Sequence, residues 1–498
     1  MRIGCPAPTC RRKAARCVAL ATALAGAGIF PLPSATLALR QAQAPRLGTW
    51  VNLGTADYGS RAALLHVAGG HDLVAWRVSP GGKQTYDIAE LARKGGIAVG
   101  AKDLLDGKDW SGVSADSALL MDAGSPLIVF SGQGTGHYSL GCVVGALRSG
   151  SAWMLQSWSL SGACTFSNGG FSGGAAVSNA NTLSADFAGG VLYYQIGVAP
   201  TIPAPSQSEI KISSLRHAED ASEVYDGNGT GHFYGGWYQF FSPKPSNDGI
   251  YVVDLQNGAA TVQKAPGSRT GTVQPLVPQP LAMASPAGRT GVYAAYCPVT
   301  SPCNKVVLWR YGSKKTVAVP KSANATAAVA LTAGPSGRLW LAWYNKVTFR
   351  VSTVRTNKAG TVFGPVESFS GPPGCGGDSL ATVAASSGPS QRLDVVVVCK
   401  DFSDLKVSAE ATQSLTGLGL TSSTSSISHK TGGSVTYRVT DAGDPVQGAR
   451  VRMDRRTGTT NNNGQVSFSF PKGAGTGQFR VTATMANYHG ATGSLRVT

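Results

Sequence analysis

The chain has 498 residues, enough for two or more domains, with 64 Gly, 14% charged residues and 42% hydrophobic residues. So few charges and so many glycines exclude a coiled coil, and the apolar share excludes global disorder. The formal charge of +17 suits acidic partners such as anionic glycans, teichoic acids, phospholipid headgroups or nucleic acid bound without sequence preference. Lys and Arg spread around a rim for solubility is the competing explanation.

Residues 1–44 read as an export signal. Arg11, Arg12, Lys13 and Arg16 form a positive start, Val18 to Phe30 a short apolar run, and Pro31 and Pro33 a break. Thr36-Leu37-Ala38 or Ala42-Gln43-Ala44 then offers small residues for cleavage. The run is short and interrupted by Gly for a membrane span, with an uncleaved anchor as the alternative. Ala14-Ala15 matches a twin-arginine signal poorly. Removing residues 1–44 takes away Arg2, Arg11, Arg12, Lys13, Arg16 and Arg40 and leaves +11. No later segment is apolar enough to span a bilayer.

Cys5, Cys10 and Cys17 fall in the signal. Six cysteines remain, and an even number in an exported chain favours disulfides. Nearness in sequence suggests Cys142–Cys164, Cys297–Cys303 and Cys375–Cys399. Metal binding is the rival, but no C-x-x-C is present and no His stands at finger-like spacing.

From about Arg61 to Leu415 a unit of four short strands recurs about seven times. It is clearest between Ala327 and Phe369, where AAVALTAG, LWLAWYN, FRVSTVRTN and GPVESFS are separated by Gly, Pro or Asn turns. Repeated four-stranded units bury their faces on one another in a β-propeller. In chain order, blade one contains AALLHVAG, DLVAWRVS and KQTYDIAELA. Blade two contains SALLMDA, PLIVFSG, SLGCVVGALRS and WMLQSWSL, and blade three TLSADFAG, VLYYQIGV and SEIKISSL. Blade four is the least regular, with WYQFFSP, GIYVVDLQ and ATVQKAP. Blade five contains LAMASPAG, GVYAAYCP, KVVLWRYG and KTVAVP, and blade seven LATVAASSG, LDVVVVCKD and LKVSAEA. The unbroken Val395 to Val398 predicts an inner strand buried on both faces. Six blades, with blade four an insertion, or an array of β-sandwiches are the alternatives.

Residues 418–428 are rich in Ser, Thr and Gly and read as a linker or first edge strand. Residues 429–498 alternate apolar and polar positions between Gly and Asn turns, which predicts a small sandwich. The order Asp444-Pro445-Val446-Gln447-Gly448-Ala449-Arg450-Val451, Thr459-Thr460, Asn463-Gly464-Gln465 and Phe479-Arg480-Val481-Thr482-Ala483 resembles bacterial immunoglobulin-like and transthyretin-like surface modules. That resemblance covers the last seventh of the chain. It implies a spacer, adhesive stalk or accessory module and carries no catalytic residue. Leu339-Trp340-Leu341-Ala342-Trp343-Tyr344 and Phe349-Arg350-Val351 resemble blades of sialidase-like extracellular propellers, a likeness shared by many functions.

Gly132-Gln133-Gly134-Thr135-Gly136-His137-Tyr138 recurs as Gly227-Asn228-Gly229-Thr230-Gly231-His232-Phe233. Glycines free the backbone for positive φ, and a His followed by an aromatic residue could give a hydrogen bond and a stacking platform. If both loops lie on one face they could flank the channel; otherwise they are turns. The stretch His232-Phe233-Tyr234-Gly235-Gly236-Trp237-Tyr238 is the best single place for ligand contact, which makes His137, Tyr138, His232, Phe233, Tyr234 and Trp237 the candidate binding residues. Asp226 begins a run with alternating oxygen side chains and is a possible calcium site, but no acidic ligand follows at fixed spacing. No other cofactor or metal is expected, and His66 and His71 read as turn residues. Asn228 and Asn324 match glycosylation acceptors, idle in a bacterial chain.

Glycosidase chemistry needs paired carboxylates or a Tyr nucleophile with a carboxylate partner. Asp72, Asp116, Glu223, Asp226 and Tyr225 are candidates, with Arg77, Arg310 and Arg350 as a possible carboxylate clamp. No intact S-x-D-x-G-x-x-W box exists; Ser246-Asn247-Asp248-Gly249 is a fragment. The expectation is therefore an exported, bacterial, all-β protein, with a propeller over 45–417 and an Ig-like β-sandwich after the linker. It would bind a glycan or another cell-surface polymer without catalysis, with no specific nucleic acid. A secreted glycoside hydrolase or lyase, or an adhesion module for an extracellular protein, are the alternatives.

Overall fold

The computed structural model describes residues 49–498 except 58, 83, 93–95, 105–109, 123, 135–142, 150–151, 159–173, 178–181, 189–190, 198–207, 212–217, 228, 240–243, 257–258, 272–278, 301, 324–325, 376–380, 389–390 and 401–406. The proposed signal, Cys142, Cys164, His137, Tyr138, Asn228 and Asn324 lie outside the described residues.

Seven antiparallel sheets follow one another along residues 51–417, each hydrogen-bonded in sequence order. Blades one to six span 63–103, 110–158, 174–211, 218–264, 281–318 and 326–370. Blade seven takes three strands from 381–417 and its outermost strand, Val51–Thr55, from the other end of the described chain. Val51 pairs with Ala411 and Thr55 with Ser408, so the ring is closed by the strand that begins it. The first strands of neighbouring blades pack beside one another around the whole ring, including blade one against blade seven. These observations settle on seven blades rather than six. Blade four is a full blade whose first strand, Ala218–Tyr225, was not recognisable in AEDASEVY. Ile97–Asp103 in blade one, Gly174–Val177 in blade three and Val51–Thr55 are the other propeller strands not named from sequence.

Residue parity explains the packing. In the second strand of blade six, Leu339, Leu341 and Trp343 join the blade-five core, while Trp340, Ala342 and Tyr344 face blade seven. The Val395 to Val398 run works the same way. Val395 and Val397 pack on blade six, and Val396 and Val398 pack on blade one beside Leu53, Val74 and Trp76. It is the second strand of its blade, not the innermost one. Outer strands keep only half their side chains inside, as in Glu367–Ser370. That gradient is what a radial blade imposes on a two-residue period.

Each blade's first-to-second-strand turn lies at one end of the ring, called the front face here; second-to-third turns lie at the back. Cys297–Cys303 and Cys375–Cys399 form disulfides as expected. No described helix is long and apolar enough to cross a membrane.

The C-terminal sandwich pairs a sheet of Gly419–Ser422, Gly433–Asp441, Asp444–Pro445 and Gln465–Phe470 with a sheet of Ser426–Ile427, Ala491–Val497, Gly477–Thr484, Arg450–Met453 and Arg456–Thr459. Val435, Tyr437 and Val439 meet Val451, Met453, Val481 and Leu495 in its core. Residues 418–428, read from sequence as a linker or first edge strand, contribute two strands, because Leu418 and Ile427 are buried in the core and Leu420 packs against it, among solvent-facing Ser and Thr.

Buried ion pairs and hydrogen bonds join the two domains. Arg355 and Asp441, each 0% exposed, form an ion pair. Arg338 bonds Asp444 at 2.8 Å and approaches Asp441 at 3.4 Å. Tyr488 hydroxyl donates to Asp441 at 3.3 Å, and its ring stacks against the Arg355 guanidinium. Thr416, at the end of blade seven, pairs with Tyr488 in the sandwich.

Candidate functional site

Four blades build their front turn alike. Gly70, Gly231, Gly291 and Gly337 all have positive φ, at 82°, 71°, 108° and 73°. Each stands two positions before the first paired residue of a second strand. A residue with a Cβ is disfavoured at these angles, so glycine sets the chain's entry into the blade.

The residue after that glycine is His71 in blade one, His232 in blade four and Arg338 in blade six. Two residues further on, Leu73, Tyr234 and Trp340 lie opposite Glu90, Asp254 and Arg355 on the third strand. His71 Nδ1 meets Glu90 at 3.0 Å, and His232 Nδ1 meets Asp254 at 3.0 Å. Arg148 from blade two also reaches Glu90, at 3.2 Å. In both histidine–carboxylate pairs the atoms stand at ion-pair distance without the alignment of a hydrogen bond. Both histidine side chains are partly exposed, at 37% and 28%. In blade six the same position carries two arginines, and Asp441 and Asp444 of the sandwich occupy it.

Among the described residues the counterpart of Gly231-His232 at the front of the ring is Gly70-His71. Gly136-His137, matched to it by sequence, lies outside the described residues.

The aromatic candidates are corrected. Phe233–Gln239 is the second strand of blade four and is buried along its whole length. Tyr234 and Tyr238 belong to the core between blades four and five, and Trp237 is 0% exposed and stacks on Tyr251. Parity inside a blade consumes these rings, which leaves them no free face for a ligand. Tyr234 reaches Thr230 with its hydroxyl, and burial followed by the charge of Asp254 pushes it up to about 12. Tyr225 packs its ring on Phe233 at 4.9 Å.

Asp226 is a clamp between blades. Its carboxylate accepts from Ser285 Oγ at 3.2 Å, Gly291 N–H at 3.2 Å and Thr230 N–H at 3.4 Å. Its oxygens are filled by donors, which does not suit the calcium role considered for it. Arg77, Arg310 and Arg350 do not converge. Arg77 pairs with Asp57 at 3.0 Å, Arg350 donates to Ser368, and they stand in blades one, five and six. Ser246-Asn247-Asp248-Gly249 forms a short turn into a strand.

A second cluster sits at the front end of the seam between blades seven and one. His66 Nδ1 meets Asp72 at 2.9 Å, and Arg392 meets Asp394 at 2.9 Å and Asp72 at 3.5 Å. Donor atoms of His66, Asp72 and Asp394 lie within 4.8 Å of one another, the one such grouping among the described residues. Asp72 and Asp394 are 2% and 3% exposed. Burial, and then the neighbouring charge of Asp72, raises Asp394 well above the usual carboxylate range despite Arg392. Asp394, Arg392 and His66 were not chosen from sequence. The available signal was a lone acid opening a run of four valines, since a charge in such a strand needs a buried partner.

No protein-family model matches the chain, and no curated protein is similar to it in sequence. Among solved structures, a protein of unknown function from Dyadobacter fermentans is similar at 10% identity and TM-score 0.40, covering 74% of this chain and 100% of its own. A polysaccharide lyase is similar at 7% identity and TM-score 0.41, covering 73% and 91%. A Trypanosoma rangeli sialidase is similar at 9% identity and TM-score 0.34, covering 72% and 55%.

Proposed function

We propose that the protein acts outside the cell as a noncatalytic binding protein and takes a glycan on the front face of its propeller. The observation that carries this reading is the repeated front position. On blade six it already holds a partner, the sandwich, through charged hydrogen bonds. On blades one and four it sets a partly exposed imidazole beside a carboxylate, Glu90 or the buried Asp254. Such donor–acceptor sets meet the hydroxyls of a sugar, which each donate and accept. Of the exposed large apolar residues described, Ile97, Val99 and Val262 stand on outer strands and Met121 beside the front turn of blade two. His232 stays in the site, joined by His71, Glu90, Arg148 and Asp254. The disulfides support an oxidising compartment.

The test is a glycan screen of the full chain beside His71→Ala/His232→Ala, with circular dichroism to verify folding. Specific binding that falls at least tenfold in the variant supports the reading. No glycan bound at low or physiological salt overturns it and moves the assignment to a protein partner.

The seam cluster favours a second reading, a glycoside hydrolase or lyase, because it brings two carboxyl groups and an imidazole within 4.8 Å of one another. Turnover of any bound glycan, lost in Asp394→Asn, would establish it. The depth of Asp72 and Asp394 speaks for a blade-to-blade tie instead.

A further inference from the structure

We propose that the outer face of the sandwich's five-stranded sheet is a second binding surface, for an extended anionic polysaccharide. Residues 418–498 contain nine Lys and Arg but three acids, Asp441, Asp444 and Asp454. Asp441 and Asp444 are held in the domain junction, so the exposed sandwich is strongly positive.

The ladder register places four of these charges on one face. Arg450 and Arg452 are exposed on their strand, with Val451 and Met453 turned inward. Arg450 lies opposite Thr484 and Arg452 opposite Thr482. Arg480 is the next outward residue on that neighbouring strand, and it lies opposite Ser494. Arg496 follows two residues further on the third strand, opposite Gln478. All four are exposed. Strand spacing near 4.8 Å and a rise near 3.4 Å per residue put consecutive arginines about 7–8 Å apart at Cβ. They form a diagonal line about 20 Å long or slightly more.

Between them stand Thr457, Thr482, Thr484, Thr492, Ser494 and Gln478, all neutral hydrogen-bonding groups. Among the described residues none of the four guanidinium groups is in an ion pair. Only Arg452 has a local partner, the Asp454 carbonyl at 3.1 Å. Arg456 is different: it lies over the Phe470 ring at 4.2 Å and donates to the Ser469 carbonyl.

Four unpaired, regularly spaced arginines on a flat surface complement a polymer with regularly spaced carboxylates or sulfates. The hydroxyl and amide groups between them suit its sugar hydroxyls. Single-stranded nucleic acid would need aromatic platforms for its bases, and this face has none. The surface shares no residue with the imidazole–carboxylate pairs of the propeller's front face.

The experiment measures binding of the full chain to dextran sulfate and polygalacturonate between 50 and 300 mM NaCl, with neutral dextran and oligo-dT as comparisons. The expected result is binding to the anionic polysaccharides that weakens linearly in log salt, with a slope of a few units, as about four counterions are released. Arg450→Gln/Arg452→Gln/Arg480→Gln/Arg496→Gln should weaken it at least tenfold, and the four Lys replacements should restore most of it. Because all four side chains are exposed, the variants should fold, which circular dichroism verifies. Unchanged binding in the Gln variant, no binding by the wild type, or tighter binding to oligo-dT would each overturn the proposal. Uncharged glycans are unaffected by these variants, so failure here and failure of the front-face reading are seen separately.

Discussion

Replacing Asp441 with Ala tests how the two domains are held. In the native junction Asp441 has no exposure and faces Arg355, Arg338 and the Tyr488 hydroxyl. Without it, Arg338 keeps Asp444, but Arg355 keeps only the neutral Gln391 and Tyr488 oxygens and the Trp340 and Tyr488 rings. A buried guanidinium then lacks its counter-charge, which costs about 3–5 kcal/mol. The cost cannot exceed the docking energy, because the sandwich can lift and let water reach Arg355. Calorimetry of the wild type should therefore show the sandwich unfolding with the propeller, and Asp441→Ala should show it melting earlier and separately. The double variant Arg355→Met/Asp441→Leu removes both charges and keeps the volume filled. It should recover to within about 1 kcal/mol of the wild type or exceed it. Guanidinium unfolding followed at the sandwich transition gives the values. A loss under about 0.5 kcal/mol for Asp441→Ala, with one shared transition, would refute the reasoning, since such small values belong to exposed pairs.

Asp394 gives a pH prediction. Its folded pKa is raised, so the folded state holds a proton that the unfolded chain has released. Stability from this group is full below the unfolded value, about 3.9, and falls as pH climbs towards the raised value. Asp394→Asn should flatten that slope and gain relative stability towards neutral pH, as read from urea midpoints at pH 4, 5.5 and 7. A parallel slope in the variant would point to another group. Trp76→Ala should cost about 3–5 kcal/mol, because the indole is fully buried at the closing seam and donates to the Thr55 carbonyl at 2.8 Å; thermal melts check this. Cys375→Ser/Cys399→Ser opens a loop with 24 residues of separation and should cost about 2–4 kcal/mol. Non-reduced peptide mapping should show the Cys297–Cys303 and Cys375–Cys399 linkages intact in the wild type.

How far the sequence could be read depended on where each residue lies in a blade. In blades five and six, both-face burial produces apolar runs such as LWLAWYN, and every strand was visible. AEDASEVY hides a first strand because it is polar, and Gly174–Val177 is too short to stand out. Val51–Thr55 could not be assigned at all, since its partner lies at the far end of the propeller. The aromatic cluster after His232 misled for the opposite reason. Rings that suit a ligand platform equally suit the space between blades, and composition does not distinguish the two. Glu90, Asp254 and Asp394 sit inside strands, so only the ladder register shows which imidazole or guanidinium each one meets. The glycine before His71, His232 and Arg338 was present in the sequence, but matching four-residue motifs concealed it.

Closure by Val51–Thr55 has a consequence for the order in which this molecule can form. Val51 and its partner Ala411 are roughly 360 residues apart, so the seam is among the most non-local contacts in the chain. Entropy of loop closure grows only logarithmically with that separation, and the finished ring is not much weakened by it. Kinetically the situation is different, because ladders of such high sequence separation form slowly. The strand made first must wait with its backbone edge unpaired until the seventh blade exists. During that interval both it and the third strand of blade seven are open to pairing with another chain. Losing either end of the propeller would make that exposure permanent.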